Sequence, residues 1–168
     1  FAPMPSKCAV GNILYSWNYA YNSDLLKSTP KTIKDFFNTK RFPGKRAIYK
    51  SALTNLEIAL AADGVKMGKG GEFIYKKLED PAYVTRAMNK IKALCEDPQG
   101  GCVFWSAGAQ PPELLMSGEV VMATGWNGRF FNAIVGEGAP LKQVWDGQGL
   151  DYEYLSLIHI SEPTRPAI

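Results

Sequence analysis

Aromatic and aliphatic positions crowd together early in the chain. Residues 9–15, Ala-Val-Gly-Asn-Ile-Leu-Tyr, predict a strand, with aromatic spacing continuing to Tyr21. Thr32-x-x-Asp35 marks a helix start that places Ile33, Phe36 and Phe37 on one face. Phe42-Pro43-Gly44 predicts a turn, and Arg46 to Tyr49 a short strand. Thr54-x-x-Glu57 has the spacing of a capping box, opening an apolar helix from Leu56 to Ala62 that Asp63-Gly64 ends. Gly68 to Gly71 predicts a loop, followed by a short helix from Phe73 to Leu78. The clearest helix comes next: Asp80 caps it, Pro81 starts it, and Val84, Ala87, Met88, Ile91, Leu94 and Cys95 fall on one stripe. The remaining elements are a strand at Cys102–Trp105, a helix begun by Pro111-Pro112, a strand at Glu119–Ala123, a helix over about 127–135, and a short strand at Gln143–Trp145.

Short buried strands alternating with helices predict an α/β layer structure: a mostly parallel sheet with helices on both faces. In such sheets ligands bind beyond the carboxyl ends of the strands, where helix N-termini also point.

Composition narrows the partner classes. The formal charge of +3 is weak, and only Lys40, Arg41, Lys45 and Arg46 cluster, which suits a solvated turn and not a nucleic-acid surface. No apolar run approaches the length needed to span a bilayer. Cys95 and Cys102 flank the turn-rich stretch Glu-Asp-Pro-Gln-Gly-Gly, so they can pair in an oxidising compartment or remain two free thiols. Three scattered thiols and a single histidine, His159, are too few for a zinc site, so neither a metal nor another cofactor is expected.

Catalytic patterns are missing. The single histidine rules out the usual Ser-His or Cys-His pairing if His159 is set aside, and no P-loop spacing occurs. Glu57 with Asp63, and Glu113 with Glu119, read better as caps and helix ends than as paired catalytic carboxylates. Two turns carry more promise. Trp105-Ser106-Ala107-Gly108-Ala109-Gln110-Pro111-Pro112 takes a strand into a helix, and Thr124-Gly125-Trp126-Asn127-Gly128-Arg129 does so again. Two such turns in one α/β layer structure predict a ligand cleft, with Ser106, Gln110, Asn127 and Arg129 at its rim.

Several segments in one order carry a family resemblance: Pro-Lys-Thr-Ile-Lys-Asp-Phe-Phe (30–37), Arg-Phe-Pro-Gly-Lys-Arg (41–46), Asn-Leu-Glu-Ile-Ala-Leu-Ala-Ala-Asp-Gly-Val (55–65), Gly-Ala-Gln-Pro-Pro-Glu-Leu-Leu (108–115) and Gly-Glu-Val-Val-Met to Trp-Asn-Gly-Arg (118–129). Over residues 8–154 the chain resembles spermidine/putrescine-type periplasmic substrate-binding proteins, closest to their branch with the Gly-Ala-Gln-Pro segment. The resemblance implies a two-lobed, type II periplasmic-binding fold, monomeric when intact. The chain would hold the crossing strand near Cys8 to Tyr15 and most of lobe two, without the return. It implies a secreted periplasmic protein that hands a small solute, such as a polyamine, to an ABC permease and its ATPase. Trp126 matches the tryptophan that stacks on the ligand's methylene chain. Ser51 and Thr54 fall about where polyamine binders place carboxylates, and both are neutral here, which argues against a polyamine.

Residues 155–165, Leu-Ser-Leu-Ile-His-Ile-Ser-Glu-Pro-Thr-Arg, match the translation of a transposase adapter used in short-read library preparation. We expect residues 1–154 to be a fragment of the binding protein, its signal peptide lying upstream, and 155–168 to be adapter read-through. Two other readings stay open: an enzyme on the same lobe fold with its nucleophile elsewhere in the intact chain, and a ligand-sensing module fused to a regulator.

Overall fold

A computed structural model of the protein describes residues 9–68 and 72–156. The elements run β1 (Ala9–Asn22), α1 (Ile33–Phe36), β2 (Arg46–Tyr49), α2 (Asn55–Ala62), α3 (Glu72–Leu78), α4 (Pro81–Glu96), β3 (Cys102–Trp105), α5 (Gln110–Met116), β4 (Met122–Trp126), α6 (Asn127–Phe131), a π-helical turn (Asn132–Gly136) and β5 (Leu141–Ser156). Five strands form one sheet in the order β3-β2-β4-β1-β5. The pairs β2–β3 and β2–β4 are parallel, whereas β1 is antiparallel to both β4 and β5. Four strands therefore point one way, with β1 inserted against them, and helices cover both faces of this open α/β sheet.

Each face has its own core. On one, Tyr19, Tyr21, Ile48, Met122 and Val144 meet Ile33, Phe36, Ile58 and Leu94 from α1, α2 and α4. On the other, Ala20, Ala47, Trp105, Ala123 and Leu141 meet Leu115 of α5 and Phe130 of α6. Helix α2 is apolar around most of its circumference because it is covered twice: Ala59 and Leu60 also pack against Ile74 and Ala87 from α3 and α4.

Local signals hold in several places. The Asp80 carboxylate accepts the Ala82 N–H at 2.9 Å and starts α4 ahead of Pro81. Asp35 accepts the backbone N–H groups of Lys31 and Thr32, at 2.9 and 3.0 Å, and steadies the one-turn α1. Cys95 and Cys102 are joined by a disulfide that ties the end of α4 to the start of β3.

Three expectations need correction. The Glu119–Ala123 strand begins at Met122, because Val120 and Val121 donate to the carbonyls of Leu114 and Lys45 outside the β4 ladder. The short 143–145 strand is the middle of β5, which pairs with β1 over almost its whole length, so a strand returning alongside β1 is present. Met88, placed on the apolar stripe of α4, is exposed. The loop at Gly68–Gly71 lies outside the described residues except for Gly68. Within the 155–168 tail, Leu155 and Ser156 pair with Val10 and Ala9, and 157–168 lie outside the described residues.

Two features fix the frame around the sheet. Arg46, the first residue of β2, is fully buried. Its Nε donates to the Phe36 carbonyl at 3.0 Å and its Nη1 to the Gly44 carbonyl. Burial lowers its pKa to about 10. Between Trp17↔Gly149 and Tyr19↔Val144, β5 bulges outward. Asp146 in that bulge accepts the Ile33 N–H at 2.7 Å. Gly147, at φ +75°, lies flush on Ile33, and a Cβ there would fall 2.7 Å from the Ile33 Cβ.

Candidate functional site

Parallel strands bring their carboxyl ends to one edge, and here each ends in an aromatic residue: Tyr49 on β2, Trp105 on β3 and Trp126 on β4. Strand β1 runs the opposite way and adds Tyr15 and Trp17 at the same edge. The rings form one cluster. Tyr49 and Trp105 lie 4.6 Å apart, Trp17 and Trp126 5.4 Å apart, and Trp105 and Trp126 5.8 Å apart between centroids. Offset and edge-on contacts of this kind hold the rings rigidly at little entropic cost.

Beside the cluster opens a cavity of about 460 Å³ between the start of α2, α3 and the second half of β5. Trp17 lines it together with Thr54, Glu57, Tyr75, Gln148 and Asp151. The size suits a small organic solute. Two carboxylates give this wall its charge. Asp151 Oδ2 accepts the Tyr15 hydroxyl at 2.8 Å and the Trp17 indole N–H at 3.4 Å. Burial, then the adjoining Asp151, pushes the Tyr15 phenol up to about 12, so it stays a donor at neutral pH. Glu57 is held above the ordinary glutamate range by burial, opposed by N–H bonds from its own backbone and that of Thr54. Its Oε2 is buried and has no partner among the described residues.

The residues expected from the sequence divide into two groups. Trp126 sits in the aromatic cluster, and Thr54 lines the cavity. Thr54 closes only half of a capping box: its backbone N–H reaches Glu57, while its hydroxyl donates to the Leu53 carbonyl and its φ is +67°. Ser51 is exposed and its hydroxyl accepts the Leu53 N–H. Gln110 is occupied by its own turn, its Oε1 accepting the N–H groups of Ser106 and Ala107 at 2.8 and 2.9 Å. Asn127 ties α6 to β1 by accepting the Ser16 N–H at 2.9 Å. Arg129 is exposed and forms no ion pair among the described residues. A Cβ built on Gly108 would lie 2.1 Å from Trp126 Cζ3 and 3.4 Å from Arg129 Nε, so this glycine lets both side chains close over the turn.

Sequence reasoning missed Tyr15, Tyr49 and Asp151, and it took Glu57 for a helix cap. Tyr49 and Trp105 could have been found as aromatic residues closing two predicted strands. Asp151 carries no local signal. Among the described residues no three His, Cys, Asp or Glu side chains lie close enough to hold a metal ion.

Glu57 carries a direct prediction. Its folded pKa is raised, so its contribution to stability is fully present below the unfolded pKa and is lost as pH rises through the folded value. At pH 7 the ionised group destabilises the ligand-free protein. Glu57→Gln should therefore melt at a higher temperature than wild type at pH 7 and at the same temperature near pH 4. A shift of equal size at both pH values would show that the carboxylate is not desolvated.

Comparison with known proteins agrees with this geometry. The chain is 42% identical over 153 residues to a gamma-aminobutyric acid-binding protein of Pseudomonas aeruginosa PAO1, covering 91% of this chain and 41% of that protein. The chain thus spans about two fifths of that relative's length. A solved GABA receptor superposes with a TM-score of 0.74 at 32% identity, over 90% of this chain and 43% of that one. A spermidine/putrescine ABC transporter substrate-binding protein from Streptococcus pneumoniae superposes at 0.66 over 88% and 42%, with 13% identity, and shares the fold alone. The sequence also matches the family described as bacterial extracellular solute-binding protein over residues 10–163. On that match, and on a fold it shares with solved binding proteins, the chain belongs to the bacterial extracellular solute-binding protein family.

Proposed function

We propose that this chain is the larger part of one lobe of an extracytoplasmic binding protein that captures a small amine-bearing solute and delivers it to an ABC permease and its ATPase. The observation that carries the reading is the juxtaposition of an aromatic cluster with a cavity bearing Glu57 and Asp151. Tryptophan faces suit an alkyl ammonium, and carboxylates supply the charge that Ser51 and Thr54 lack. The relatives named for gamma-aminobutyric acid support an ω-amino acid, and the sequence resemblance supports a polyamine. The protein is not an enzyme in this reading, acts as a monomer in the periplasm, and closes on its solute by hinge motion between lobes. The intact protein continues differently beyond Tyr154, residues 155–168 being adapter read-through. Sequencing the source DNA past codon 154 tests that point, and native DNA encoding the same residues would overturn it.

Three tryptophans at the site provide the functional readout. Titration of the full-length protein with 4-aminobutyrate, putrescine and spermidine should change tryptophan emission and release or absorb heat with at least one of them. Trp126→Ala should weaken that binding by about tenfold or more. Absence of heat and of any emission change with all three would sink the amine reading.

A further inference from the structure

The two ends of the aromatic cluster have opposite unmet needs. At the end formed by α2 and β5 there is surplus acceptor capacity: the buried Glu57 Oε2 has no donor, and Asp151 faces the same cavity. At the end formed by the β3–α5 and β4–α6 turns there is surplus donor capacity. Trp105 is fully buried, and both its indole N–H and that of Trp126 lack an acceptor among the described residues. Arg129 stands beside the Trp126 ring across Gly108, exposed and without an ion pair among the described residues. Trp17 and Trp126 lie between the two ends, their centroids 5.4 Å apart. Trp17 donates toward Asp151 on one side, and Trp126 borders Arg129 on the other.

We propose that this site is charge-polarised and reads its solute as a zwitterion, with the ammonium toward Glu57 and Asp151, the carboxylate toward Arg129, and an alkyl spacer over the paired indoles. The proposal rests on the solute-binding reading above and narrows its ligand class. The physical reason is complementarity. A monoamine leaves the Arg129 end unmatched, a monocarboxylate leaves the acidic wall unmatched, and a diamine sets an ammonium against the guanidinium. Rejection of such ligands comes from the unpaired or like-charged end as much as from lost attraction.

A matched series of four-carbon probes tests it in the full-length protein: 4-aminobutyrate, n-butylamine, butyrate and putrescine, titrated by calorimetry. Wild type should prefer 4-aminobutyrate over n-butylamine and over butyrate by about 10- to 100-fold, the size of a charged hydrogen bond. Arg129→Gln should shrink the preference over n-butylamine to within about threefold while keeping most of that over butyrate. Glu57→Gln should do the reverse. A merely structural change would weaken all probes together and leave the ratios intact, so unchanged ratios in both variants overturn the proposal. Putrescine binding as tightly as 4-aminobutyrate overturns it too, while leaving amine capture standing. No binding of any probe to wild type overturns both readings together.

Discussion

Gly108→Ala is expected to weaken solute binding by about tenfold or more and to destabilise the protein by about 1–3 kcal/mol, the range for overpacking a filled site. The added methyl would sit 2.1 Å from Trp126 Cζ3 and 2.5 Å from Cε3, far inside contact distance. A flexible side chain could swing aside. Trp126 cannot do so freely, because Tyr15, Trp17 and Trp105 pack against it from other directions. Its displacement would therefore propagate into the cluster that defines the site. Calorimetry and urea denaturation of the single variants, and of Gly108→Ala combined with Trp126→Phe, separate the causes. Phenylalanine lacks the outer ring atoms that collide, so the double variant should recover stability relative to the sum of the singles. Strict additivity would mean that the clash is absorbed elsewhere.

Arg46→Leu is expected to cost about 3–5 kcal/mol. The guanidinium is the only partner recorded for the buried Phe36 carbonyl, and it also binds that of Gly44. Leucine restores much of the volume but leaves both carbonyls without a donor. Arg46→Lys should rescue little, since an ammonium on a different stem cannot place two donors in the same fork. Urea denaturation reads both variants. A leucine variant within about 1 kcal/mol of wild type would mean that the 36–44 segment is held by its packing alone. Arg46 lies at the start of β2, away from the site at its carboxyl end, so solute affinity per folded molecule should be unchanged.

Much of the fold was legible because its signals are local. Asp80-Pro81 and the apolar stripe mark α4, and Cys102–Trp105 and Arg46–Tyr49 are strands as read. The second half of β5 was not legible. Asp-Gly-Gln-Gly-Leu-Asp has neither a strand's alternation nor its apolar residues, and it becomes a strand because β1 lies alongside to accept its ladder. The site divides the same way. Trp126 stands at a strand-to-helix turn and could be read from there. Asp151 meets Tyr15 across 136 residues of sequence, which no local pattern encodes. Gln110 shows the opposite error: a polar residue in a promising turn whose acceptor is used up by the turn itself.

The pairing of β1 with β5 also bears on the order in which the chain can become structured. Strand β1 supplies aromatic residues to both faces of the sheet, yet one of its two neighbours is β5, separated from it by residues 23–140. At ordinary rates of synthesis that interval lasts on the order of ten seconds. Throughout it Trp17, Tyr19 and Tyr21 have no completed sheet to enter, and β4, their other partner, is itself made late. The nascent chain should thus stay open and chaperone-accessible until nearly all of this segment has been synthesised, a state suited to export as an unfolded thread.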